Sequence, residues 1–210
     1  PDRVTQPRRR PLLLPLAAAL AALCMLACTG PSGAPAEPLA VKPPFVDGER
    51  LIYTVVGEGN RVVAHGVFTT RRAGDAWELQ QAFEEAAPSD GRKPTADRSS
   101  ATVDAQSLLP RRSERVVEGV HRTDRYTGAY ASNLVTIEHE GERAREVKLN
   151  TAAYDNESSL WLWRSLPLGD GYTTRYVSIG IAERSRQVVA LTVTGKQRIE
   201  VPAGAFEAWR

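Results

Sequence analysis

Cysteine is nearly absent from this 210-residue chain: there are two, Cys24 and Cys28, both close to the N-terminal end. Nothing after Cys28 can form a disulfide, a thiolate zinc site or a thiol nucleophile. Histidine is almost as sparse. His65, His121 and His139 lie in separate stretches with no HxH or HxxxH spacing, which leaves no usual metal-ligand pattern. No serine stands in a G-x-S-x-G elbow, no Gly-rich loop follows a strand pattern, and no βαβ unit repeats, so neither an esterase-type nucleophile nor a phosphate cradle is legible and no cofactor is implied. A surplus of one charge is lacking too. Removing residues 1–27 takes away four arginines and Asp2 and leaves 23 basic against 24 acidic residues, about −1, which excludes a basic surface for nucleic acid.

Long apolar runs are also missing, with one exception. Arg3, Arg8, Arg9 and Arg10 precede an uncharged apolar stretch over 11–27, the layout of a secretory signal. That stretch falls short of the ~20 residues that a membrane-spanning helix needs, and Pro11 and Pro15 weaken it as a helix. Met25-Leu26-Ala27-Cys28 resembles the bacterial lipobox. The resemblance implies that Cys28 carries diacylglycerol, that cleavage falls before it, and that its new amino group is acylated. Cys24 fits worse because bulky Leu23 precedes it. Two or three acyl chains on one residue hold a protein at a membrane where a single chain does not. A plain cleaved signal and an uncleaved N-terminal membrane helix are the alternatives. Arg9-Arg10 with Leu12-Leu13 only loosely matches a twin-arginine signal. Thr29 is not the aspartate that retains lipoproteins in an inner membrane, so resemblance to that sorting rule implies an outer-membrane anchor facing the periplasm.

Residues 28–44 are rich in proline, glycine and alanine with no apolar period, and read as a tether. The folded domain is expected over 45–210. The absence of Met before Pro1, and a chain that stops at Trp209-Arg210 within a strand pattern, lead to the expectation of further strands after Arg210.

Within the domain the period is two. Leu51 to Val56 is β-branched and aromatic up to Gly57, and 61–70 resumes as its hairpin partner. Trp77, Leu79, Gln81 and Phe83 alternate with Glu78, Gln80, Ala82 and Glu84, which buries one face and wets the other. Further strands are expected around 101–104, 112–117, 120–126, 134–139, 143–149, 172–178, 187–194 and 198–201. Reversals at Glu118-Gly119, Glu140-Gly141-Glu142, Gly195-Lys196 and Pro202-Ala203-Gly204 separate several of them. Turn signals at this spacing predict an antiparallel sandwich or barrel. One segment differs: Asp155 to Ser159 offers N-cap residues, and 160–166 before Pro167 predicts a short helix with Leu160 and Trp163, joined by Leu166, on one face.

Phe45-Val46-Asp47-Gly48-Glu49-Arg50-Leu51-Ile52-Tyr53, then Tyr154-Asp155-Asn156 with 162–168, then Val201-Pro202-Ala203-Gly204-Ala205-Phe206, resemble a bacterial envelope family catalogued as domain of unknown function 3108. That resemblance implies an all-β fold, a curved antiparallel sheet or incompletely closed barrel with one short helix, similar to the lipid-handling folds of lipoprotein carriers. It brings no catalytic residues. Read physically, Gly48 and Gly204 permit turns, Pro202 fixes the approach to one, and Tyr53 and Phe206 supply core area.

Candidate chemistry reduces to an apolar site. Glu84-Glu85 and Glu138 with Glu140 read as the wet face of a sheet, His121 and Asp124 face opposite sides of a strand, and His139 sits at a rim. Trp161 and Trp163, two apart on a helix, cannot both face one core strip; either one packs while the other lines a barrel mouth, or both are partly buried scaffold. Tyr53 joins them as the third candidate contact. The expectation is a non-catalytic envelope lipoprotein that binds or relays something apolar such as lipid. A structural or assembly partner of another envelope protein is the alternative, and an envelope hydrolase a remote one.

Overall fold

The computed structural model describes residues 37–88 and 91–210. Eight strands run as an antiparallel meander in chain order: β1 (Arg50–Val56), β2 (Val62–Ala73), β3 (Ala76–Glu85), β4 (Ala96–Asp104), β5 (Pro110–Glu118), β6 (Thr123–Tyr130), β7 (Leu134–His139) and β8 (Arg145–Lys148). β1 and β8 are not paired with each other, so the sheet is an incompletely closed barrel. A second sheet has three strands in the order β11–β10–β9, with β9 (Ala153–Asp155), β10 (Thr173–Gly180) and β11 (Ser185–Thr192). The single α-helix among the described residues, α1 (Ser159–Ser165), connects β9 to β10, and those two strands are parallel. This parallel pair departs from the antiparallel pattern read in the sequence. β9 has only three residues, too few to show a period. Among the described residues the hairpin β12 (Lys196–Val201) and β13 (Gly204–Trp209) pairs only with itself.

Register places the inner face of the large sheet in rows. One row crosses six strands as Thr70, Leu79, Ala101, Ser113, Gly128 and Ile137, and every member is buried. The next holds Leu51, Phe68, Gln81, Ser99, Arg115, Tyr126 and His139. A third holds Tyr53, Gly66, Phe83, Asp97, Val117 and Asp124. Because side chains alternate along each strand, these rows follow one another on the same face.

Two apolar clusters fill the buried end. Phe45, Phe68, Trp77, Leu79, Val103, Leu108, Tyr154, Trp161, Leu162 and Tyr176 belong to the first, and Val135, Ile137, Val177, Ile179 and Ile181 to the second. Glycine makes room for close packing at Gly128, where an added Cβ would come within 2.8 Å of Ile181 Cγ2. The same holds at Gly66, where it would meet the Phe83 ring at 2.9 Å.

Three expectations are corrected. The helix buries Trp161, Leu162 and Ser165, while Leu160 and Trp163 are partly exposed; the covered side is set by the sheet beneath and not by the apolar spacing alone. Tyr53 and Phe206 are about half exposed, 49% and 48%, because β1 is an edge strand and β13 has a single partner. The tether is shorter than 28–44 at its C-terminal side. Leu39 and Val41 pack against the first cluster, the Leu39 amide donates to the Tyr154 hydroxyl at 2.8 Å, and the Lys42 amide donates to the Ser165 carbonyl at 2.7 Å.

Candidate functional site

The three aromatic candidates do not form one site. Tyr53 meets Phe68 edge-on at 5.2 Å, and Phe68 meets Trp161 at 5.6 Å and Phe83 at 5.5 Å. Tyr53 and Trp161 are thus two ends of one aromatic chain whose middle is Phe68. Trp161 is 2% exposed and its indole N–H donates to Thr70 Oγ1 at 3.0 Å, so it is a satisfied core residue of the folded domain. Trp163 belongs to a different group: its indole N–H donates to the Tyr176 hydroxyl at 2.8 Å, and Tyr176 meets Tyr154 edge-on at 5.7 Å. Cys28, the lipidation candidate, lies outside the described residues.

At the third row the cover stops. A groove of about 440 Å³ opens there, with Ala64, Phe83, Ala96 and Val117 in its lining and Asp97 and Glu118 among its polar members. Tyr53 and Val55, on β1 beside it, point from the same face and are both exposed. Glu85 also lines the groove. Arg92 holds its carboxyl down to about 2, helped by the Thr95 amide at 3.0 Å. Lys93, by its hydrogen bond, and Arg98 likewise neutralise Glu118 and lower its carboxyl. A second groove, about 470 Å³, lies at the opposite end over Leu109, Pro110, Tyr130, Leu149 and Ala153, with Arg111 on its rim. Arg111 is already committed to Asp75 at 2.8 Å and Asp104 at 3.0 Å.

Beneath α1 sits a polar knot built from residues whose sequence reads as helix caps. Asp155 is fully buried. Its Oδ2 accepts from Ser113 Oγ at 2.6 Å, and its Oδ1 accepts from the Ser158 amide at 2.9 Å and from the Ser158 hydroxyl. Burial raises its carboxyl above the ordinary range. Ser158, the N-cap, makes no side-chain bond to the helix backbone. Glu157 is 3% exposed, and neither of its carboxyl oxygens meets a donor at hydrogen-bond geometry. Burial first, then the Asp155 charge, push it up to about 8 against the opposing pull of Arg115 at 3.8 Å. Arg115 itself grips Asp97 with two bonds of 3.0 and 2.7 Å. The available signal was parity: Asp97, Ser99, Ser113 and Arg115 all take inward positions, so something polar had to meet them.

His139, at the end of β7, and Asp124 also come together. The ring stacks on Tyr126 at 4.4 Å, with Nε2 3.2 Å from Asp124 and Nδ1 2.8 Å from Glu142. Among the described residues no group of three His, Cys, Asp or Glu is placed to hold a metal ion, and no helix is long and apolar enough to cross a membrane.

The architecture defines an all-β, incompletely closed, barrel-like protein with one short helix. The family model described as "Protein of unknown function (DUF3108)" matches residues 51–210, and the chain belongs to that family. Among solved structures it is similar to a beta-barrel-like protein of domain of unknown function DUF1849 from Brucella abortus, at 13% identity and TM-score 0.44, over 79% of this chain and 70% of that one. No curated protein matches it.

Proposed function

We propose that the chain is a membrane-anchored lipoprotein of the bacterial cell envelope that acts by binding, holding an acyl chain or similar apolar ligand at the open end of its inner face. The observation that carries the reading is the third row and its groove: apolar side chains of Tyr53, Val55, Phe83 and Val117 sit on a sheet face whose continuation is core, yet among the described residues nothing folds over them. An open apolar surface next to a filled core is the usual mark of a binding site. Acyl chains on Cys28 supply the anchor.

A non-catalytic role is part of this reading. Ser113 is hydrogen-bonded to Asp155, but both are fully buried, so no substrate reaches the hydroxyl. Native mass spectrometry of the full chain, isolated from bacterial membranes, tests the reading. Bound acyl lipid is expected, with loss in Val117→Glu; a lipid-free protein contradicts it. Cys28→Ser separately tests the anchor, which predicts release from the membrane fraction and loss of acyl label.

A second reading, docking with another envelope component, is favoured by the β12–β13 hairpin. Ile199, Val201 and Phe206 share one of its faces and are 39%, 46% and 48% exposed. Photo-crosslinking from position 206 in cells distinguishes it, because a lipid-binding role alone predicts no protein adduct there.

A further inference from the structure

The inner face is filled where a ligand would be best shielded, and the filler is α1. Trp161 and Leu162 occupy the seat over Phe68 and Thr70, yet the segment leading into them stands on Glu157, a buried carboxyl without a hydrogen-bond donor. The groups facing Glu157 come from five places. Asp155 lies on β9, Arg115 on β5, Tyr130 on β6 and Glu183 in the turn between β10 and β11, while Asp97 on β4 reaches it through Arg115. Three of these are carboxyls, and the cation among them, Arg115, is already shared with Asp97. A charged carboxyl in that position therefore has too little to offset its lost hydration. It has two escapes, to keep its proton or to move out to water. Burial does hold a proton on it up to about 8.

The restraints on α1 are unequal along its length. Its C-terminal half is clamped from outside: Arg164 pairs with Glu49 through two bonds of 2.8 Å, and Ser165 accepts from the Lys42 amide at 2.7 Å. Its N-terminal half has the Trp161 indole bond to Thr70 and the Asp155 contacts to Ser158, and the helix is only seven residues long. A helix of that length depends on its packing to persist.

We propose that Glu157 is a proton-linked latch: with the carboxyl protonated, residues 157–161 seat Trp161 on the inner face, and loss of the proton lifts that half-turn about the clamped end and extends the apolar groove onto Phe68. The lift needs no ligand. Only the identity of what enters rests on the proposed acyl-binding role.

Hydrogen exchange of the full chain, corrected for the intrinsic pH dependence of exchange, reads the latch directly. Between about pH 6 and about pH 9 the protection of 157–161 is expected to fall about ten-fold while β3 and β10 hold theirs. In Glu157→Gln it stays flat. Should that variant not fold, Glu183→Gln serves, because removing a nearby negative charge moves the midpoint to lower pH. Protection that is flat in the wild type, falls equally in Glu157→Gln, or keeps its midpoint in Glu183→Gln overturns the latch. Uptake of the apolar probe N-phenyl-1-naphthylamine, measured at the same two pH values, then separates the two claims. A lift with added uptake supports both; a lift without it leaves the latch standing and counts against the acyl-binding role.

Discussion

The two ends of the inner face are built from the same strands, a few residues apart, and end in opposite states. At the row of Thr70, Leu79, Ala101, Ser113, Gly128 and Ile137, the β9–α1–β10 segment lies across the sheet and buries everything beneath it. At the row of Tyr53, Gly66, Phe83, Asp97, Val117 and Asp124 the described residues provide no such cover, and only Gly66 is buried. Alternation decides which face a side chain takes, but the crossing element decides whether that face becomes core or surface. The difference also sorts the energetics: the covered end supplies stability, and the open end is where the proposed ligand would bind.

Mutations break that comparison most sharply at the covered end. Trp161→Ala removes the side chain that joins Phe68 to the helix and is expected to cost about 3–5 kcal/mol in chemical denaturation. Phe83→Ala in the open row, with a partly exposed ring, should cost about 1–2 kcal/mol at most. Equal losses at the two positions would erase the distinction.

The next effect is on pH dependence. Because Glu157 is pushed above its ordinary 4.5 to about 8, its contribution is fully present below about pH 4.5 and is lost as pH rises through about 8. Stability should decline over that window by a few kcal/mol, and Glu157→Gln should flatten the decline. Glu85 and Asp104 act with the opposite sign. Both are held down to about 2, by Arg92 and by the Ser107 amide respectively, so their contribution is lost as pH falls from about 4 to about 2. A stability profile that rises steadily between pH 4.5 and 8 would contradict the buried-carboxyl account.

Gly128→Ala comes third. Its methyl would press on Ile181, which is fully buried, and the expected cost is about 1–3 kcal/mol from overpacking. The smallest stability effect is expected for Tyr53→Ala, below about 1 kcal/mol, since the ring is half exposed on an edge strand. It should nonetheless weaken acyl binding. A Tyr53→Ala protein that binds normally would move the ligand away from the open row.

Much of this fold is legible in the sequence, and the exceptions share a cause. Period-two alternation at Trp77, Leu79, Gln81 and Phe83 marks β3 and its inner face, and the reversals at Glu118-Gly119 and Pro202-Ala203-Gly204 fall between strands. Short elements resist such reading. β9 is three residues long, and α1 is placed by its contacts, so the spacing of Leu160 and Trp163 points to the wrong side. Leu39 and Val41 look like tether until Tyr154 and Ser165 offer them partners. Asp155 and Glu157 carry the ordinary marks of helix-start residues, because nothing local says that Ser113 and Arg115, over forty residues away, will face them. The open row is the converse case: Tyr53, Phe83 and Val117 match core in type but lie uncovered by the described residues, beside Asp97 and Asp124.

The most direct test of the central claim is a photoreactive fatty acid fed to cells that make the full chain, followed by mapping of the labelled residues. The account predicts adducts at the open row, on Tyr53, Phe83 or Val117, apart from the acyl groups on Cys28. Adducts confined to the β12–β13 hairpin, or labelling of Cys28 alone, would contradict it.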